Sequence, residues 1–227
     1  MFAVLALLLF ACPIAAETIT LTYGPDTPEA KTPAREALLH KAFEQAVQGR
    51  ARGMLGAELT PERLARLDAF LATRAQGLVQ SYSELTFQTG AEGVQASYDV
   101  VVDRAGLQRL LEHAGLFATL RAPEGYVLRA SALPRGAADE LGGLELLSGL
   151  SRQEGEGLPV LALETAGKGY AAVLSFGAEQ WRAGGDTLEA AWLRVWGGYF
   201  GRRAPDAAHK GGGTLLTVSG WGAPDGV

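Results

Sequence analysis

The segment VQSYSELTFQTGAEGVQASYDVVV, residues 79–102, decides the fold of the first half of the chain. Tyrosine, phenylalanine, threonine and valine dominate both of its ends, and the short sequence GAEG separates them at residues 90–93. Two strand-favouring runs joined by a glycine-containing loop are typical of a β-hairpin. Every second residue from Val94 to Val102 is apolar or aromatic, so one face of the second strand is predicted to be buried.

One earlier strand and three helices are predicted around this hairpin. Threonines alternate with apolar residues over 17–23, a pattern that favours a half-buried strand. Two Thr-Pro pairs, at residues 32–33 and 60–61, combine a cap residue with proline at the first helical position. Asp103 is expected to cap a third helix, which Gly115 ends.

The second half of the chain repeats the alternation of strands and helices. A strand is predicted over 126–133 and a hairpin over 160–176. Asp139 and Asp186 are expected to cap two helices, and a last strand is expected at 214–220. The order β-α-β-β-α-β is compatible with a ferredoxin-like plan, in which both helices cover one face of an antiparallel sheet.

The predicted fold class is therefore α+β, with helices packed on an antiparallel or mixed sheet in each of two small domains. We place a signal peptide at 1–16, a first domain at 17–118 and a second, ferredoxin-like domain at 119–227. A chain of 227 residues is long enough for this division, since domains of about 100–200 residues are usual.

The first sixteen residues, MFAVLALLLFACPIAA, predict an export signal and hence a periplasmic protein. This uncharged run is shorter than the roughly 20 residues that span a bilayer as a helix, but it suits the apolar core of a signal peptide. Small residues before Glu17 favour cleavage after Ala16. A second interpretation stays open, because LFAC at residues 9–12 is similar to a lipoprotein box in which Cys12 would carry a lipid anchor. A buried N-terminal helix or strand is a third.

Composition and charge argue against several classes of function. The chain has 20 Lys and Arg against 25 Asp and Glu, a net charge of -5, which argues against a nucleic-acid-binding protein. One cysteine gives neither a disulfide framework nor a cysteine metal site. No HExxH or GxSxG motif occurs, and the glycines around Lys168 lack the spacing of a phosphate-binding loop. We expect no cofactor, no metal site, no catalytic residue and no transmembrane span.

Aromatic residues are concentrated between residues 181 and 200, where several follow helical spacing. One interpretation is that they pack a helix on a sheet. Another is that they anchor a partner, since Trp and Tyr supply much of the binding energy at interfaces. A third is that the helix forms the wall of a small-ligand pocket. The candidate partner-binding residues are Trp181, Arg182, Trp192, Trp196 and Tyr199.

Part of the chain resembles secreted bacterial envelope proteins. The residues that carry the resemblance are AREAL at 34–38 and the hairpin with its following helix, ending in DRAGLQRLL. Over 17–116 the chain is similar to the N-terminal domain of flagellar assembly protein T and to related periplasmic proteins. The segment GDTLEAAWLRVWGGYF, residues 185–200, resembles the latter more weakly. The resemblance implies a non-catalytic part of an envelope assembly and brings no functional residues with it.

We therefore expect a periplasmic, non-enzymatic binding or assembly module of the cell envelope that contacts envelope proteins or a second copy of itself. One alternative is a periplasmic hydrolase that uses scattered carboxylates, for which Asp99, Glu164 and Glu179 are the candidates. The other is the small-ligand carrier with a tryptophan-lined pocket.

Overall fold

The computed structural model describes residues 16–31, 34–56, 59–131 and 133–203. The export signal with Cys12 and the strand expected at 214–220 lie outside these residues, as does the Thr-Pro pair at 32–33. The helix predicted to begin at that pair instead begins at Arg35, after Ala34, which makes no side-chain cap. In chain order the elements are β1 (Glu17–Tyr23), α1 (Pro28–Lys31), α2 (Arg35–Leu55), α3 (Pro61–Ala72), a 3-10 turn (Ala75–Leu78), β2 (Val79–Gly90), β3 (Gly93–Val102), α4 (Arg104–His113), β4 (Glu124–Ser131), α5 (Ala137–Ser148), β5 (Leu150–Arg152), β6 (Val160–Ala166), β7 (Gly169–Phe176), β8 (Glu179–Gly185) and α6 (Leu188–Arg203).

The predicted hairpin is confirmed as β2 and β3, and β3 is the central strand of an antiparallel sheet of order β1-β3-β2. The alternate residues of β3 from Val94 to Val102 are buried, in one cluster with the apolar residues of α2. Gly93 has φ 116°, and a Cβ there would lie 1.9 Å from the carbonyl oxygen of Tyr23. Only glycine therefore fits where the hairpin passes β1.

Two helix starts in the first half follow the sequence prediction. The hydroxyl of Thr60 accepts a hydrogen bond from the amide of Arg63 at 3.3 Å, and the carboxylate of Asp103 accepts one from Gly106 at 2.9 Å. Each side chain thus satisfies an amide that has no partner within the helix. At Gly115, φ is 76° and a Cβ would lie 2.3 Å from Phe200, so α4 ends where α6 passes close to the chain.

The second sheet is mixed, with strand order β5-β4-β6-β7-β8. Strand β4 pairs in parallel with both β5 and β6, and the remaining pairs are antiparallel. The α+β class is confirmed, but the ferredoxin-like plan is not. That plan would place the predicted strand at 170–176, which is β7, between those at 126–133 and 160–165, which are β4 and β6. Here β6 lies directly beside β4, and β7 lies on its other side. Strand β8 was not predicted, because EQWRAGG is polar and ends in glycines.

Both helix caps predicted in the second half are wrong. The residue before α5 is Gly136, with φ 91°, and Asp139 lies in the first turn. There its negative charge still favours the positive end of the helix dipole. At α6, the hydroxyl of Thr187 rather than the carboxylate of Asp186 accepts the amide of Ala190, at 3.1 Å. Serine, threonine and aspartate all cap helices, so adjacent candidates cannot be separated by sequence alone.

Buried apolar residues form two clusters, one around β3 and α2 and one between the second sheet and helices α5 and α6. The clusters meet where α3 packs on α5 and α4 packs on α6. Leu147 of α5 belongs to the first cluster, and Leu193 of α6 packs against both. The domain limits given above stay a prediction. Among the described helices, none has both the length and the apolar character needed to cross a membrane.

Candidate binding surface

The aromatic residues of α6 lie in the second core. Trp192, Trp196 and Tyr199 are each at most 1% exposed. The ring centroid of Trp196 lies 5.3–5.6 Å from those of Trp192, Tyr199, Phe200 and Tyr126. Aromatic rings at this separation are in favourable contact. The packing therefore accounts for these three candidate residues as core, and they present no surface to a partner in this structure.

Polar atoms at the rim of this core are hydrogen-bonded to the surrounding elements. The Trp192 indole donates to Ser148 Oγ at 3.0 Å, and the Tyr126 hydroxyl donates to Glu145 at 2.5 Å. Arg152 binds both oxygens of that carboxylate, at 2.6 and 3.1 Å. Burial, followed by the bond to Glu145, raises the pKa of Tyr126 well above its usual value. These bonds fix the orientation of Trp192 and Tyr126, whereas the indole N–H of Trp196 is buried without a hydrogen-bond partner among the described residues.

Trp181 and Arg182 are neighbours on β8 and point to opposite faces of the sheet. Trp181 pairs with Leu174 on the helix-covered face, where it is half-buried and lies 5.4 Å from Tyr199. Arg182 pairs with Val173 on the other face, and its guanidinium donates to Gln180 Oε1 at 2.9 and 3.2 Å. Of the predicted candidates, Arg182 is thus the one that is exposed.

The face that carries Arg182 has three rows of side chains in register across four strands, and we call it the open sheet face. Each row takes one residue from β4, β6, β7 and β8, and all of these residues are exposed or half-buried. The rows are Val127, Val160, Ser175 and Gln180; Arg129, Ala162, Val173 and Arg182; and Ser131, Glu164, Ala171 and Gly184.

The open sheet face has an apolar centre and a polar rim. Valines and alanines of β4, β6 and β7 form the centre, where a depression of about 130 Å³ lies between the strands. Its lining residues are Arg129, Ser131, Ala162, Leu163, Glu164, Ala171 and Val173. Apolar centres surrounded by polar and charged side chains are the usual composition of a protein–protein interface.

Two arginines stand at opposite ends of the middle row. Arg129 and Arg182 are separated by three strand spacings, or ~14 Å between their Cα atoms. Neither forms an ion pair with another residue in the described part of the chain. Glu164 is the single acidic residue of the face, so the face is positive in a chain whose net charge is -5.

The carboxylates proposed for a hydrolase are dispersed. Asp99 accepts a hydrogen bond from Thr18 at 2.6 Å on the first sheet, and Glu179 forms an ion pair with Arg202 at 2.7 Å on the second. Glu164 lies on the open sheet face. Within the described residues, no group of three His, Cys, Asp or Glu side chains could hold a metal ion.

Sequence reasoning missed Arg129, Ala162 and Val173 as surface residues. The sequences VLALET (160–165) and YAAVLSF (170–176) are apolar on both sides of the strand, so they give no alternation that would mark the exposed face. The placement of Arg129 and Arg182 at the two ends of one row depends on the register of four strands and on β8, which the sequence did not reveal.

No protein-family model matches the chain, and no curated protein or solved structure is significantly similar to it.

Proposed function

We propose that this protein is a non-enzymatic binding module of a bacterial envelope assembly, which docks an acidic segment of a partner protein on the open sheet face. The observation that carries the proposal is the middle row of that face, in which Arg129 and Arg182 flank the apolar residues Ala162 and Val173.

The chemistry of the partner follows from this row. An apolar side chain of the segment enters the depression over Ala162, Ala171 and Val173 and displaces water from apolar surface. Carboxylates on either side of it reach Arg129 and Arg182, whose planar guanidinium groups bind carboxylates through two hydrogen bonds. The local positive charge orients the acidic segment and excludes basic ones.

Two features support an envelope location. Strand β1 begins at Glu17, so cleavage after Ala16 leaves the first sheet complete. If Cys12 carries a lipid instead, the five residue steps from it to Glu17 reach at most ~18 Å, which holds the first domain close to the membrane. The resemblance over 17–116 supports an envelope assembly, including a flagellar one, as the setting.

Charge reversal on the open sheet face tests the proposal. The variant carries Arg129→Glu and Arg182→Glu. The control carries Arg104→Glu and Arg109→Glu, which make the same change in net charge on exposed residues of α4. Each tagged chain is purified from envelope extracts of the native cells, and co-purifying proteins are quantified by mass spectrometry.

We expect a partner that copurifies with the control and the unaltered chain and falls at least ~10-fold with the face variant, as loss of a charge-assisted contact predicts. Equal recovery by the face variant and the control would contradict docking on this face. Equal loss by both would show a general effect of net charge.

A further inference from the structure

Strand β2 forms an uncovered edge of the first sheet. Among the described strands its single neighbour is β3, although β2 is 12 residues long. Almost all of its residues are exposed, including the large apolar side chains of Tyr82 (53%) and Leu85 (51%). The free edge of a strand carries backbone N–H and C=O groups that pair readily with another strand.

The residues that usually protect such an edge are missing from β2. Its sequence, VQSYSELTFQTG, contains no lysine, arginine or proline and a single charge, at Glu84. Proteins that keep an edge unpaired commonly place lysine or proline there, shorten the strand or twist it with a β-bulge, and of these devices β2 has only bulges. Irregularities between Val79 and Ser81 and between Glu84 and Thr86 interrupt the pairing with β3. The second of these lies in the middle of the strand.

We infer that two copies of this chain associate through β2, antiparallel and around a twofold axis between residues 84 and 85, into one continuous six-stranded sheet. This association uses a surface different from the open sheet face, so it stands apart from the proposed function.

The central irregularity selects this register. Tyr82 and Phe87 pair with Val100 and Ala96, both on the buried side of β3, although they are five residues apart on β2. Residues five apart in a regular strand point to opposite faces, but Tyr82 and Phe87 share one face. The reason is that Leu85 is a bulge residue with no partner on β3. With the axis between 84 and 85, residue 82 lies opposite residue 87 of the second copy, and the faces match. An axis on residue 85 would place Tyr82 opposite Gln88, which lies on the other face.

The backbone has the same symmetry. Val100 and Ala96 are four residues apart on β3, so their partners Tyr82 and Phe87 direct their N–H and C=O groups to the same edge. Ser83 and Thr86, which pair with Asp99 and Ser97, direct their N–H and C=O groups to the other edge. In the dimer, each residue from 81 to 88 except Glu84 and Leu85 thus lies opposite a residue whose N–H and C=O groups have the matching direction.

The side chains that this register brings together are complementary. Tyr82 lies opposite Phe87 of the second copy, and Ser83 lies opposite its Thr86. Aromatic pairs and hydroxyl pairs across antiparallel strands are both stabilising. The two Glu84 carboxylates approach the axis, and each has Arg35 of its own chain 3.8 Å away, which limits their repulsion. The same guanidinium lies 4.4 Å from the Phe87 ring.

Cysteine cross-linking tests the register directly in the full chain carrying Cys12→Ser. In the first variant, Ser83→Cys and Thr86→Cys place thiols opposite each other across the axis. Directly opposite residues have Cα atoms ~4.5–5.5 Å apart, within disulfide range, whereas the two positions in one strand are ~10 Å apart. In the control, Ser83→Cys with Gln88→Cys leaves the thiols' Cα atoms ~8 Å apart across the axis.

We expect the first variant to form a disulfide-linked dimer under mild oxidation and the control to form at least ~10-fold less, because disulfides need Cα atoms within about 7 Å. Equal cross-linking by both variants, or none by either, would overturn the register.

Sedimentation equilibrium of the chain without introduced cysteines tests the dimer itself. We expect the mass of two chains, and a dissociation constant at least ~10-fold higher for Leu85→Lys than for Thr22→Lys on the opposite edge strand. Circular dichroism confirms that both variants are folded. A chain that stays monomeric at about 100 µM would overturn the inference, as would equal dissociation constants for the two variants.

Discussion

Replacement of Arg63 by methionine removes the most deeply buried of the guanidinium groups that bond across the two halves of the chain. Arg63 lies on α3 and is 8% exposed. Its Nε donates to the carbonyl of Leu147 at 3.1 Å, at the end of α5, and its Nη1 donates to the carbonyl of Thr119 at 3.1 Å. Its Nη2 donates to the Thr119 hydroxyl at 2.6 Å. Burial lowers the pKa of Arg63 from its ordinary value.

The expected loss follows from the carbonyls left without a donor. No described carboxylate forms an ion pair with Arg63, so carbonyls and the negative end of the α5 dipole stabilise its charge. Each buried carbonyl that loses its donor costs ~1–3 kcal/mol. Methionine keeps most of the packing and removes the cost of burying a charge, which offsets part of this loss. We therefore expect Arg63→Met to lower the free energy of unfolding by ~2–4 kcal/mol.

Urea unfolding followed with two probes measures the effect. All four tryptophans lie in the second half of the chain, so their fluorescence reports on that half, whereas far-UV circular dichroism reports on both. For Arg63→Met we expect a lower midpoint and transitions that no longer coincide, because the contact between the halves is weakened. The control is Arg66→Met, which removes one bond to Gly143 at 3.2 Å and should cost ~1 kcal/mol. Equal losses for the two variants, with coincident transitions, would refute this reasoning.

Three further predictions concern the second core and the N-terminus. Trp196→Ala should lower the free energy of unfolding by ~3–5 kcal/mol in the same urea experiment, because removal of the fully buried ring leaves a cavity. The control Leu146→Ala, at an exposed position, should lie within ~0.5 kcal/mol of the unaltered chain. Burial raises the pKa of Tyr126, so the hydroxyl of the unfolded chain loses its proton first as the pH rises. The free energy of unfolding should therefore fall above pH ~10. In thermal melts at about pH 8–11, Tyr126→Phe should reduce the slope of stability against pH. Equal slopes would show that another group titrates. Mass spectrometry of the exported protein should find a chain that begins at Glu17, whereas a lipidated Cys12 as the first residue would place the protein on a membrane.

The first half of the fold was largely predictable because its signals are local. The alternation of β3 and the caps Thr60 and Asp103 depend on residues close in sequence, and each has its predicted role in the structure. In the second half, β8 is a strand because it pairs with β7, not because its residues favour strands. The parallel pairing of β4 with β6 likewise depends on how the chain crosses between them, which residue patterns do not specify.

The candidate surface was only partly predictable for the same reason. A row of aromatic residues at helical spacing gives the same sequence pattern whether the helix face is buried or exposed, and here Trp192 and Trp196 are buried. Arg182 was singled out as a neighbour of that cluster. Its place at the other end of the middle row from Arg129 follows from strand parity and register, which are properties of the folded sheet.

Site-specific photo-cross-linking in the native cells tests the central claim, that the open sheet face binds a partner. A photoreactive residue replaces Ala162 at the centre of the face, and the matched control replaces Leu146, an exposed residue of α5. We predict one cross-linked protein from position 162, whose attached peptide contains an apolar residue flanked by Asp or Glu, and loss of this product when Arg129 and Arg182 are changed to glutamate. No product from position 162, or the same products from both positions, would contradict the account.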